Sequence, residues 1–401
     1  MVAINARRFL GVIIALYFLK LFFESPIGGR WMDFPVYWKA GVEALEHRTV
    51  YDSTVYMQYR YSPSIALLFG WIFRPFSFEV ASWVFQKLSL ISWLILLGLW
   101  IRESVGNRTK PRWMWEGLFG FFILLFGSAL RLDLQFGQVN SFALFLLYYG
   151  MKYGFSWNAE SGTVGISHGK RYYELLACGL FLALAIQLKL YVLIALLIFV
   201  VRLKIVEGLV TLFFLLITSV GVMSIYHGRE FTFIELGNWI RLLNESTPEL
   251  ILGITNINIL GVGSRLLGVG PAQILWLAFF GFYLYLLIRF RKESFFLHYS
   301  IGCLGVYFLH PLTWTYWVLF FAPAFYYVIG KHILPRLSAG IEDARVRRAS
   351  SYFRRPIQLL LVPALVTFNM QHSYYLKTWP LLLTSLLFLL WMFFVAREEP
   401  K

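Results

Sequence analysis

Asp33 lies in the stretch Arg30-Trp31-Met32-Asp33-Phe34-Pro35-Val36-Tyr37-Trp38-Lys39-Ala40-Gly41, just after the first long apolar run. A carboxylate held partly dry among aromatics can take a proton from a reacting hydroxyl. The plainer alternative is a cap on a helix that begins near Pro35. Asp133, in Arg131-Leu132-Asp133-Leu134-Gln135, is the rival carboxylate, and an ion pair with Arg131 would explain it. Lys189, in Ala185-Ile186-Gln187-Leu188-Lys189-Leu190, interrupts a long apolar run. A cation at that depth is costly and points to function by default. Its natural counter-ion is a phosphate; the alternative is an amine that snorkels to the headgroups from a short helix end.

Further polar residues stand where apolar segments begin or end. Gln138 and Asn140, in Gly137-Gln138-Val139-Asn140, open one segment and could bond sugar hydroxyls, phosphate or a helix N-terminus. Asn256 and Asn258 sit two apart, followed by Gly261 and Arg265, as a loop lining a cleft or as an ordinary turn. His310 precedes Pro311, which cannot continue a helix, so the imidazole either meets a substrate at the rim or caps a helix end. Tyr37, four residues after Asp33, shares its short segment and joins the substrate-binding candidates.

These residues need a scaffold, and composition says what kind. The chain has 401 residues, of which 59% are hydrophobic and 14% charged. Soluble domains run to about 25% charged, so this is an all-α, polytopic integral membrane protein. The formal net charge of +15 comes from 36 Lys and Arg against 21 Asp and Glu. It is carried in short loops, as the positive-inside rule requires. With no soluble basic module to bind it, nucleic acid is excluded as a partner, and membrane lipids take its place. Cys178 and Cys303 lie inside apolar runs as core thiols, and no Cys/His spacing suggests a structural metal.

A span needs about 20 apolar residues. Segments of suitable length cover 8–24, 79–101, 113–130, 207–226, 271–290, 294–309, 312–330, 356–370 and 378–396. The stretches 138–151 and 174–203 are less regular; the latter reads as two short elements meeting at Lys189, suited to the floor of a cavity. The total is about 10–12 spanning helices. Positions 33–47 and 64–76 fit short amphipathic helices lying in the interface. The chain reads as one membrane domain over 1–401, with 25–78 as an outer loop and 331–355 as a basic cytoplasmic loop resting on anionic headgroups. The basic loops then fall on one side, with both termini cytoplasmic. The unusual polar residues gather on the other side. Chance would have scattered them over both.

There is no Asp-x-Asp pair for a metal–nucleotide-sugar and no Gly-rich phosphate loop. That argues against a cytoplasmic nucleotide-sugar donor and for one presented by a lipid phosphate. The polar blocks, in their order, resemble glycosyltransferase family 87, the multi-span GT-C-type enzymes that use polyprenyl-phosphate-mannose. The blocks are Asp33-Phe34-x-Val36-Tyr37 with Ala40-Gly41 and Tyr51-Asp52; Tyr61-Ser62-Pro63; Gly137-Gln138-Val139-Asn140; Ala185-x-x-x-Lys189; Asn256-x-Asn258-x-x-Gly261 with Arg265; and Pro311-x-Thr313-Trp314. The chain departs from the family at Ile257, where a Gln is common, and at Tyr316, where a His often stands.

The resemblance implies a GT-C-type fold and inverting transfer of a hexose, mannose in the first place, from a polyprenyl-phosphate donor to a glycolipid or envelope glycan acceptor. It implies Asp33 as the base and Lys189, aided by Arg131 or Arg265, at the leaving phosphate. Gln138, Asn140, Asn256, Asn258, His310 and Tyr37 complete the substrate contacts. No cofactor and no metal are required. The implied location is a bacterial inner membrane, with the site on its non-cytoplasmic face. A transporter or lipid flippase would share the apolar bulk, but it should show matched halves with interrupted helices, which are not seen. An inactive homologue is the remaining alternative, suggested by Tyr316.

Overall fold

The computed structural model describes residues 2–24, 33–51, 58–106, 112–156, 168–253 and 256–333. Among them every regular element is helical. In chain order these are α1 (Val2–Phe23), α2 (Asp33–Leu45), α3 (Pro63–Phe73), α4 (Phe78–Val105), α5 (Arg112–Gln135), α6 (Asn140–Ser156), α7 (His168–Leu188) and α8 (Val192–Val201). There follow α9 (Ile205–Leu216), a π-helical turn at Ile217–Gly221, α10 (Val222–His227), α11 (Arg229–Ile251), α12 (Ile259–Leu267), α13 (Val269–Arg289) and α14 (Phe295–Leu309). The described chain closes with a 3-10 segment at Thr315–Phe321, α15 (Ala322–Val328) and a π turn at Ile329–Ile333.

Four helical segments among the described residues are long and apolar enough to cross a membrane: Phe78–Val105, Trp115–Gln135, Ile205–His227 and Val269–Arg289. The other apolar helices are shorter, and the expected spans at 356–370 and 378–396 lie outside the described residues, as does most of the 331–355 loop. The expected span at 312–330 starts instead as the 3-10 segment, with Pro323 in the first turn of α15. The run 174–203 breaks at Lys189-Leu190-Tyr191, where two short elements were expected to meet: α7 ends, the chain turns, and α8 returns for ten residues. The segment Ile205–His227 presents Leu209, Leu212, Phe213 and Leu216 outward, and Val269–Arg289 presents Ile274 and Leu277. Outward apolar faces of this extent suit a helix set in lipid.

Within a bilayer, helices gain little from hiding apolar surface from one another, so close packing and buried hydrogen bonds decide the arrangement. Small residues set the close approaches. A Cβ at Gly150 would meet Leu182 and one at Gly154 would meet Cys178, so α6 and α7 run antiparallel. Trp93, Trp100, Phe122, Tyr148 and Tyr299 fill the space among α4, α5, α6 and α14. One end of the bundle carries ion pairs: Lys152 meets Glu103 at 3.1 Å, and Lys204 meets Glu207 at 2.9 Å with both side chains buried.

The other end carries α2 and α3, where interfacial helices were expected. Phe34, Tyr37, Ala40, Gly41 and Ala44 form the buried stripe of α2, and Pro63 opens α3 at a position where a missing N–H costs nothing. The two helices cross at glycines. A Cβ on Gly41 would lie 2.7 Å from the Gly70 nitrogen, so neither position has room for a side chain. Phe34 packs on Phe85 of α4 with ring centroids 5.0 Å apart, and Tyr37 stacks on Phe69 at 5.1 Å. These contacts fix the first turn of α2 on the bundle.

Candidate active site

Asp33 is anchored through its backbone before its side chain does anything. Its N–H donates to the Phe136 carbonyl at 2.9 Å, joining the start of α2 to the end of α5. The next residue, Gly137, has φ of +65°. A Cβ there would lie 2.9 Å from the Cβ of Phe34. Only glycine suits both the left-handed turn and the close approach. That turn reverses the chain, and Gln138 then donates its side-chain amide to Oδ2 of Asp33.

Four other side chains join Asp33 in a closed ring. Lys189 Nζ donates to the Tyr61 hydroxyl at 3.0 Å and approaches Gln138 Oε1 at 3.5 Å. The Tyr61 and Tyr37 hydroxyls lie 2.7 Å apart, and Tyr37 donates to Asp33 Oδ2 at 3.4 Å. With Lys189 and Tyr37 both donating, Tyr61 must donate to Tyr37 for every proton to be used. The ring thus joins residues from α2, the turn before α3, the α5–α6 turn and the α7–α8 break. Lys189 also faces the rings of Tyr61, Tyr191 and Trp317, with centroids 4.9, 5.7 and 5.7 Å away. Such aromatic faces hold an ammonium without neutralising it.

Burial raises the Asp33 carboxyl above its ordinary range; Lys189, the bonds from Gln138 and Tyr37, and Arg60 all pull it back. A carboxylate placed between those opposing effects is a stronger base than a free one. Behind it lies a second buried network. Asp133 accepts from Trp93 Nε1 at 2.8 Å and from Asn140 Nδ2 at 2.7 Å, and Asn140 accepts from the Tyr191 hydroxyl at 2.8 Å. The expected ion pair with Arg131 does not form. Arg131 meets Glu24 instead, with Nε at 2.9 Å, because helix residues two apart, such as 131 and 133, point to different faces of α5. Asn140 and Gln138 lie two residues apart but serve these separate networks.

The remaining candidates tie loops together. Asn256 donates to the carbonyls of Ile251 (3.0 Å) and Pro311 (2.7 Å) and accepts from the Thr313 N–H (3.0 Å). Asn258 caps α12 through the Gly261 N–H and donates to the His310 carbonyl at 2.6 Å. Arg265 donates to the carbonyls of Gly253 and Asn256 at 2.6 and 2.7 Å. The stretch read as a cleft-lining loop or a turn is thus a capped helix whose polar groups are spent on backbone. His310 stacks on Trp317 at 5.0 Å, and its Nδ1 sits 2.7 Å from the Leu312 carbonyl. Burial pushes its pKa down to about 3; the Leu312 carbonyl opposes this and Lys189 adds to it, so the ring is neutral.

Tyr61 and Arg60 were not among the candidates read from the sequence. Their signal was present, since Tyr59-Arg60-Tyr61 precedes Ser62-Pro63 in the same outer loop as Asp33. Among the described residues no group of three or more His, Cys, Asp or Glu is arranged to hold a metal ion.

Comparison with known proteins gives one finding and two blanks. A family model described as Glycosyltransferase family 87 matches residues 59–309, well over half of the chain. The match begins after Asp33 and takes in Tyr61, Asp133, Gln138, Asn140, Lys189, Asn256, Asn258 and Arg265. No curated protein and no solved structure matches.

Proposed function

We propose, starting from the fact that this chain belongs to glycosyltransferase family 87, that it moves a hexose, mannose in the first place, from a polyprenyl-phosphate donor to a lipid-linked or envelope glycan acceptor. The observation that carries this reading is the ring of hydrogen bonds joining Asp33 to Lys189 through Gln138 on one side and Tyr61 and Tyr37 on the other. A base and a cation held in one polar cluster of a membrane protein suit a reaction whose nucleophile is a hydroxyl and whose leaving group is a phosphate.

In this reading an acceptor hydroxyl attacks the anomeric carbon from the face opposite the phosphate. As the new C–O bond forms, Asp33 takes the hydroxyl proton. The bond from the anomeric carbon to the phosphate oxygen breaks, and its electron pair stays with the phosphate. A phosphodiester becomes a monoester and gains charge, which the Lys189 ammonium offsets. The sugar is inverted. No protonation of the leaving oxygen and no metal is needed. Tyr37 and Tyr61 keep the Lys189 amine and the Asp33 carboxyl at fixed separation.

The site end of the bundle belongs, on this proposal, to the non-cytoplasmic leaflet of a bacterial inner membrane, with a GT-C-type arrangement of helices around it. The support is the distribution of basic loops, which favours the opposite end for the cytosol. The test uses membranes containing the protein, supplied with polyprenyl-phosphate-mannose and native glycolipids. Sugar transfer is expected from the unaltered protein and not from Asp33→Asn. Transfer at full rate by that variant would remove Asp33 as the base. Comparing envelope glycolipids by mass spectrometry, with and without the gene, identifies the acceptor.

A further inference from the structure

Arg60 carries a half-buried guanidinium with one nitrogen that no acceptor in the described structure meets. Its Nη1 is shielded from solvent and has no hydrogen-bond partner. Only its backbone is engaged, through the carbonyl that accepts from Trp239 Nε1 at 3.0 Å. Yet Arg60 directly precedes Tyr61 in the ring, and its charge is felt by both Asp33 and Tyr61. Lys189 is in a similar position: its hydrogen bonds go to a phenol and an amide oxygen, and no carboxylate pairs with it among the described residues. Unpaired cations are costly to keep away from water. Both bear on the Asp33 carboxyl, which can balance only one of them, while Asp133 behind it is held by Trp93 and Asn140.

We infer that Arg60 and Lys189 together bind one phosphate group of the substrate, with Arg60 presenting its planar fork to the phosphate oxygens. This rests on the proposed polyprenyl-phosphate donor and adds a second cation to it. Charge arithmetic favours the pair over Lys189 alone. Before transfer, the Asp33 carboxylate and the donor phosphodiester carry one negative charge each, against two cations. After transfer, Asp33 is protonated and the monoester carries two negative charges, against the same two. The set is neutral at both stages only when Arg60 is included. Negative charge moves from the carboxylate to the phosphate during the reaction, and a guanidinium fork is suited to receive it there.

The test measures binding of polyprenyl phosphate, and of the uncharged polyprenol, to the full-length protein in phosphatidylcholine nanodiscs. The unaltered protein is expected to prefer the phosphate. Arg60→Gln is expected to lose about tenfold or more of that affinity, on the scale of a charge-assisted hydrogen bond, while binding the polyprenol as before. Arg60→Lys, which keeps the charge and supports folding, is expected to fall between them. Unchanged phosphate affinity in Arg60→Gln would overturn the assignment, as would an equal loss for the polyprenol. Phosphatidylglycerol added to the nanodiscs separates the two sources of phosphate. If it displaces polyprenyl phosphate at equal concentration, the site is one for lipid headgroups and the inference fails. If the unaltered protein shows no preference for phosphate over alcohol, the donor reading itself falls, and Arg60 with it.

Discussion

The Phe136 carbonyl accepts the backbone N–H of Asp33 at 2.9 Å, although the two residues are more than a hundred positions apart. This bond seats the first turn of α2 on the end of α5 and puts the carboxyl beside Gln138. Asp33 is therefore held by main chain as well as by side chains. Its placement should be sensitive to the turn that follows Phe136 and insensitive to the amide or carboxyl character of residue 33.

Asp33→Asn is expected to abolish transfer while leaving the protein folded, a loss on the scale of about 10²–10⁴-fold for a general base. Its stability should move the other way. Burial raises the Asp33 carboxyl, so the folded protein holds that proton more tightly than the unfolded chain. The stabilisation from the protonated form is present at low pH and is lost as pH rises through the raised value. At neutral pH the variant should melt at or above the temperature of the unaltered protein, and the gap should close on acidification. Thermal unfolding across pH in detergent checks this; a large drop at neutral pH would count against it.

Lys189 lowers the Asp33 carboxyl from its burial-raised position. Removing the cation should therefore let that carboxyl rise further. In Lys189→Ala the acid limb of the transfer rate should shift to higher pH. The donor's KM should worsen by roughly ten- to a hundredfold, the loss expected of one charged hydrogen bond, with a smaller effect on the acceptor's. A pH–rate profile with each substrate varied separately reads both. An unmoved acid limb would uncouple the two residues.

Gly137→Ala forces a side chain into a left-handed turn at φ +65° and toward Phe34 at 2.9 Å. The backbone strain alone is about 1–2 kcal/mol, and the seating of α2 should suffer beyond that. Activity and melting temperature are expected to fall together. Gly98→Ala is the control, since a Cβ there meets nothing within 4 Å. That change should be neutral or slightly stabilising in a helix.

Asn256 offers a different contrast. Its amide serves four backbone groups, so Asn256→Ala leaves buried donors and acceptors unpaired, at about 1–3 kcal/mol for each. Loss of stability should dominate, with KM nearly unchanged in whatever fraction remains folded. A variant that melts normally but binds donor poorly would return Asn256 to the substrate contacts.

What the sequence determined by itself was the environment of each segment. Among the described residues, apolar run length marked the four helices long enough to cross a membrane but not the broken segment after Pro311; the stripe from Phe34 to Ala44 marked α2, and the charge at 189 marked the break between α7 and α8. Each of these depends on near neighbours in the chain, whose composition and spacing are open to inspection. The gathering of polar residues at one end was legible for the same reason. Which polar groups touch was decided only by the tertiary structure. Asp33 and Gln138 are 105 residues apart, and Lys189 and Tyr61 are 128 apart. Asp133 chose Trp93 and Asn140 over the nearby Arg131, and Arg265 spent its fork on carbonyls. Hydrogen bonds are satisfied within about 3 Å, a scale set by how helices cross and not by how residues are ordered. Glycines such as Gly41, Gly70 and Gly137 set those crossings, through space that only the packed bundle defines.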